Sequence, residues 1–130
     1  MQYEQAYSFL MPKLEQELSP DYSYHSAHHT KAVIDAADRM AIAENIDDNE
    51  KEILRTAALF HDAGFLEHHV HHEEMSCTLA RQYLPNFCYN ETEINRVCRL
   101  IMATKLPQAP GSPLEEIMCD ADLYYLGTDR

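Results

Sequence analysis

Apolar residues recur every three or four positions through most of this chain, and the strict alternation of a half-buried strand is almost absent. The first periodic stretch predicts a helix over about residues 2–18, ending before "SPDYSY", with Pro12 expected to kink or split it. A second is expected from about Ala27 to Glu44 behind a Ser26 cap, with His29, Val33, Ala36, Ala37 and Met40 on its inner face. A third runs from about Asp48 to Asp62, capped by Asp47 or Asp48, with Ile53, Leu54, Ala57, Ala58 and His61 on one stripe and Gly64 breaking it. The fourth covers about Glu73 to Leu84, ended by Pro85. The fifth covers about Glu91 to Thr104, closed by "LPQAPGSP", and the sixth runs from near Pro113 to about Leu126. The expected fold class is all-α, a helical bundle of about six helices.

The chain has 130 residues, 45% of them hydrophobic, which suits a single domain with a proper core. Apart from Pro12, its three glycines and six prolines fall between or at the ends of the helical segments, and no repeat, low-complexity stretch or linker interrupts the pattern. The ending "DADLYYLGTDR" reads as a helix end followed by a start, so the chain is expected to be a piece of a longer protein.

A net charge of −12 argues against a nucleic-acid polymer as partner, because a phosphate backbone needs a basic face. A small anionic substrate stays open provided something positive offsets the field locally, and a bound divalent cation would do so. Cys77, Cys88, Cys98 and Cys119 form no CxxC pair, so a zinc knuckle is not expected. Reduced, mostly buried thiols in the core of a cytoplasmic protein are expected instead, with packing rather than redox chemistry as their role. The N-terminus lacks a basic, then apolar, leader, and no run is long enough to span a membrane.

The inner stripes carry chemistry. His29 lies in register with Val33 and Met40. His61 lies in register with Ile53 and Ala57 and is followed by Asp62. Asp122 stands four residues after Met118 and four before Leu126. Three helices thus each bring an imidazole or a carboxylate to an apolar face, and buried ionisable groups must be paired or bind a metal. Two imidazoles and two carboxylates suit one divalent ion of the Mn²⁺, Fe²⁺, Co²⁺, Ni²⁺ or Zn²⁺ series, or Mg²⁺. Four further histidines, His68, His69, His71 and His72, follow closely, the first three expected in a solvated loop.

The ordered set "YHSAHHT", "HD" and "DAD" resembles the HD superfamily of metal-dependent phosphohydrolases, whose signature is His, His-Asp and a distant Asp on a helical scaffold. The resemblance covers about residues 24–127 and extends to "HEEMSCTLARQYL" from His72, similar to the helix after the His-Asp pair in many members. It implies His29, His61, Asp62 and Asp122 as metal ligands. Asp120 and Asp122 point about 200° apart on a helix, and the family pattern places the ligand on the Asp after Ala, which is Asp122.

The metal would polarise a phosphate oxygen and activate a water. Asp62 would both ligate and orient that water, and His25 stands where related phosphodiesterases place a general acid. Lys105 and Arg81 are phosphate-contact candidates. His72 is open as a base, a phosphate contact or a second-metal ligand, with His68 as a further second-metal choice. The next helix lacks the histidine that two-metal relatives often supply, so one metal is expected.

The activity implied is hydrolysis of a small phosphate ester, plausibly of a nucleotide, as monoester or diester. The alternative is an HD domain serving as a non-catalytic ligand-binding or regulatory module. A di-iron oxygenase is a third reading, weakened by the same missing histidine.

Overall fold

The structure is a computed structural model that describes residues 1–18, 27–67 and 70–128, with the side chains of 124–128 excepted. Its six α-helices are α1 (Tyr3–Glu17), α2 (Ala27–Ala43), α3 (Asp48–Phe60), α4 (His72–Tyr83), α5 (Glu91–Ala103) and α6 (Pro113–Thr128). No strand occurs among the described residues, and the fold is all-α. Two single 3-10 turns, Ala63–Leu66 and Leu84–Phe87, interrupt the α-helical order.

α3 is the centre of the bundle and packs against α1, α2, α4, α5 and α6. From Thr56 to Phe60 every residue is buried, so this half of the helix is covered on all sides rather than along one stripe. Its small residues, Ala57 and Ala58, let neighbours approach closely, and Leu59 and Phe60 fill the space on the flanks. Across its face toward α2, Arg55 donates to Asp38 at 2.6 Å. Toward the α4–α5 connection, the Thr56 hydroxyl meets the Tyr89 hydroxyl at 2.6 Å in a buried contact.

Local signals set most helix ends. Asp47 caps α3 by accepting from the Glu50 N–H at 2.8 Å. Asn90 caps α5 in a reciprocal box with Glu93. α2 closes on left-handed Asn45, with Ile46 N–H bonding to Ala41 and Asn45 N–H to Ile42, which satisfies two terminal carbonyls.

Several expected boundaries shift. Pro12 does not split α1, which runs unbroken from Tyr3 to Glu17 and buries Ala6, Leu10, Met11 and Leu14 along one face. α3 stops at Phe60, two residues short of the expected Asp62, because His61 and Asp62 turn the chain into the 3-10 segment. α6 continues to Thr128, beyond Leu126. Met40 is only half-buried, and Ala41 takes the inner position instead. Of the four thiols, Cys88 is exposed, because it sits in a left-handed turn after Phe87; the other three are buried, and all four are free.

Candidate metal centre

His29 arrives from the first turn of α2, His61 and Asp62 from the C-terminal end of α3, and Asp122 from α6. The α2–α6 and α2–α3 contacts bring these three elements together. His29 Nε2 lies 3.1 Å from Asp122 Oδ1 and 3.6 Å from Asp62 Oδ2. His61 Nε2 lies 3.3 Å from Asp62 Oδ2 and 3.4 Å from Asp122 Oδ1. One ligand atom each from His29, His61 and Asp122 falls within 4.8 Å of the others. Asp120 is exposed, so of the two aspartates in "DAD" it is Asp122 that reaches the cluster.

The donor set fits a divalent ion on two counts. First, ligand atoms about 2.1 Å from an ion, at tetrahedral to octahedral angles, stand about 3.0–3.4 Å apart, close to the spacings seen here. Second, the His61 ring is already oriented as a ligand. Its Nδ1–H donates to the Ala58 carbonyl at 2.6 Å, which turns Nε2 toward the carboxylates. That buried Nε2 makes no well-aligned hydrogen bond. Asp62 has φ −108° and ψ 6°, the sparsely populated bridge region where many active-site residues sit.

The electrostatics of the protein alone point the same way. Burial pulls the His61 imidazolium down. The Asp62 charge and the close approach of the Asp62 and Asp122 carboxylates outweigh that burial and hold the group well above the ordinary 6.5. Burial raises Asp122, but His29 and His61 hold its carboxyl well below the usual carboxylate range. One buried and one half-buried carboxylate thus draw a positive charge into the cluster. The carbonyl ends of α3 add a partial negative charge at the same place.

A second tier of contacts comes from α4. His72 Nε2 lies 3.4 Å from Asp62 Oδ1 and 3.2 Å from Glu73 Oε2, and its ring stacks on Phe65 with centroids 4.1 Å apart. The buried Ser76 hydroxyl donates to the His61 carbonyl at 2.9 Å and accepts the Gly64 N–H at 2.8 Å. It therefore clamps the turn that carries His61 and Asp62. Gly64 is required by space: a Cβ there would run into the His72 carbonyl and stand 2.9 Å from the Ser76 nitrogen. None of Glu73, Phe65 or Ser76 stands out in the sequence, since each acts through an α4 contact that periodicity does not reveal. The run "HDAG" did flag Gly64, but as a helix breaker rather than a point of close approach.

His25 and His68 lie outside the described residues. Lys105 pairs with Glu74, and Arg81 donates to Asn95 at 2.8 Å. His28, beside the buried His29, is exposed, as is His71. The side chains of Tyr124 and Tyr125 are outside the described set.

The family model of the HD domain matches residues 26–125, most of the chain and the whole of this cluster. The chain belongs to the HD domain family. No curated protein and no solved structure matches it. No described helix of this HD domain is long and apolar enough to cross a membrane.

Proposed function

We propose that this HD domain is a metal-dependent phosphohydrolase acting on a small phosphate ester, with a nucleotide as the class that suits it. The observation that carries this reading is the convergence of His29, His61 and Asp122 within 4.8 Å, with His61 turning Nε2 into the cluster by bonding its other nitrogen to Ala58. In this reading His29, His61, Asp62 and Asp122 hold one divalent ion, drawn from Mn, Fe, Co, Ni, Zn or Mg. When bound, such an ion supplies Lewis acidity toward a phosphate oxygen and toward water.

The residues of the chain divide the remaining work. Asp62 has one oxygen toward the histidines and the other toward His72, so it can orient a water between the two. His72, braced by Glu73 and the Phe65 ring, is placed to exchange a proton with that water. His25 is the proposed acid for the leaving oxygen. The P–O bond to the leaving group breaks as the water oxygen adds, and the leaving oxygen takes a proton. Lys105, held by Glu74 on α4, would reach phosphate only by exchanging that partner. Arg81, held by Asn95 on α5, would likewise have to exchange that partner to reach phosphate.

The test is bound metal per chain, by elemental analysis of untagged protein, in the wild type and in His61→Ala/Asp62→Ala. About one equivalent in the wild type, lost in the double variant, is the expected result, followed by hydrolysis in a phosphatase screen with that metal. A metal-free wild type, or a double variant that keeps its metal on the outer histidines, would overturn it. Metal bound at this site with no turnover across the screen would favour the non-catalytic module.

A further inference from the structure

The bundle holds a second cluster of chemically active groups that the metal centre does not use. Cys77 on α4 and Cys98 on α5 face each other across the helix interface. The Cys77 thiol points at the Cys98 carbonyl, with the sulfur 3.5 Å from that oxygen, and the Cys98 sulfur lies 3.8 Å from the Cys77 carbonyl. This reciprocal arrangement sets the two residues directly opposite one another. Both line a groove of about 500 Å³ between α4 and α5, with Arg81, Arg99, Asn95, Met102 and Glu74, whose carboxylate is paired with Lys105, also on its walls. The other thiols lack such a setting, since Cys88 is exposed in a turn and Cys119 donates to the Ala103 carbonyl at 3.2 Å.

We propose that Cys77 and Cys98 are a redox-active dithiol that takes an anionic, low-molecular-weight disulfide as co-substrate and closes to an α4–α5 disulfide. The groove admits a small molecule to the sulfurs, and the two guanidinium groups on its walls suit one that carries carboxylates. Cys98 is the attacking thiol. The Cys77 S–H is held on the Cys98 carbonyl at 3.5 Å, and, against the effect of burial, the Cys77 side chain and the Arg81 charge bring Cys98 down to about 7, while the Cys77 thiol is pushed up in turn.

The exchange balances in two steps. The Cys98 thiolate attacks one sulfur of the disulfide RSSR, forming Cys98–S–S–R and releasing RS⁻, which takes up the proton that Cys98 gave up. Cys77 then loses its proton, and its sulfur attacks Cys98 Sγ and expels the second RSH. The two cysteines are oxidised by two electrons, and RSSR is reduced to two RSH. The product bond ties α4, whose first turns hold His72 and Ser76, to α5 across 21 residues of chain.

The experiment uses the reduced full chain in glutathione redox buffers, followed by acid quench, alkylation and peptide mass mapping. The wild type should give a Cys77–Cys98 linked peptide, lighter by two hydrogens and reversed by excess reduced glutathione, while Cys88 gives only a mixed disulfide. Cys77→Ser should trap glutathione on Cys98, and Cys98→Ser should slow reaction at Cys77 by about tenfold or more. A folded wild type that modifies Cys88 without linking Cys77 to Cys98 would overturn the proposal, as would Cys98→Ser reacting at Cys77 at the wild-type rate.

If Cys98→Ser does not fold, alkylation of the native wild type at pH 7 decides. Cys98 should react about tenfold or more faster than Cys119, whose thiol burial pushes up to about 11. Equal rates would overturn the assignment of Cys98 as the attacking thiol.

Discussion

At its first turn α3 faces solvent, and Asp47 caps it by accepting from the Glu50 N–H. At its last turn every residue from Ala57 to Asp62 is buried. There one local and one tertiary contact satisfy the terminal carbonyls: the His61 ring bonds the Ala58 carbonyl three residues back, and Ser76 of α4 bonds the His61 carbonyl. One end of the helix is finished by a residue three positions away in sequence, whereas the other also needs a residue fifteen positions away. The locally finished end does structural work. The tertiary end is where a ligand is aimed, because an imidazole that caps its own helix has only one nitrogen left and only one direction to point it.

Ser76→Ala attacks the tertiary end and should have the largest effect. It leaves the Gly64 N–H and the His61 carbonyl buried without partners, each costing about 1–3 kcal/mol. Chemical denaturation should show a loss of about 2–5 kcal/mol. Competition with a chelator should show metal bound about tenfold or more weakly. Unchanged metal affinity in a folded variant would mean that the turn holds its shape without α4.

A pH series sharpens the comparison. In the metal-free protein His61 is raised above its ordinary 6.5, so its contribution to stability is complete below about 6.5 and fades as pH rises through the higher native value. Asp122 is lowered from 3.8, so its contribution is present above about 3.8 and lost as pH falls through the lower native value. The metal-free cluster is therefore most favourable between those limits. Metal binding requires a neutral His61 and competes with its proton. The melting-temperature gap between metal-loaded and metal-free protein should widen from pH 5.5 to 8, with affinity rising up to about tenfold per pH unit while His61 remains protonated. Calorimetry should record proton release on binding; an equal gap at both ends of the range would refute this coupling.

Asp47→Ala tests the local end and should have the smallest effect. Loss of the cap should cost about 1 kcal/mol in denaturant titration, with metal stoichiometry unchanged. If metal binding also fell, the two ends of α3 would be coupled more tightly than their separate contacts imply.

The sequence by itself determined the helical class, the order of the six helices and, through caps such as Asp47 and the spacing of His29, Val33, Ala36 and Ala37, which faces turn inward. Those features rest on local backbone geometry and a 3.6-residue period, so they can be read one segment at a time. It also singled out His29, His61, Asp62 and Asp122, because ionisable groups on apolar stripes conflict with burial unless they meet a partner.

Tertiary structure alone decided that Gly64 must be bare so that α4 can pass, that Ser76 clamps the turn carrying His61 and Asp62 and that His72 reaches Asp62. It also decided that Cys77 and Cys98, core residues by pattern, face each other across two helices. Each of these depends on how two separate helices cross, and that crossing is fixed by packing across the whole bundle rather than by any one segment.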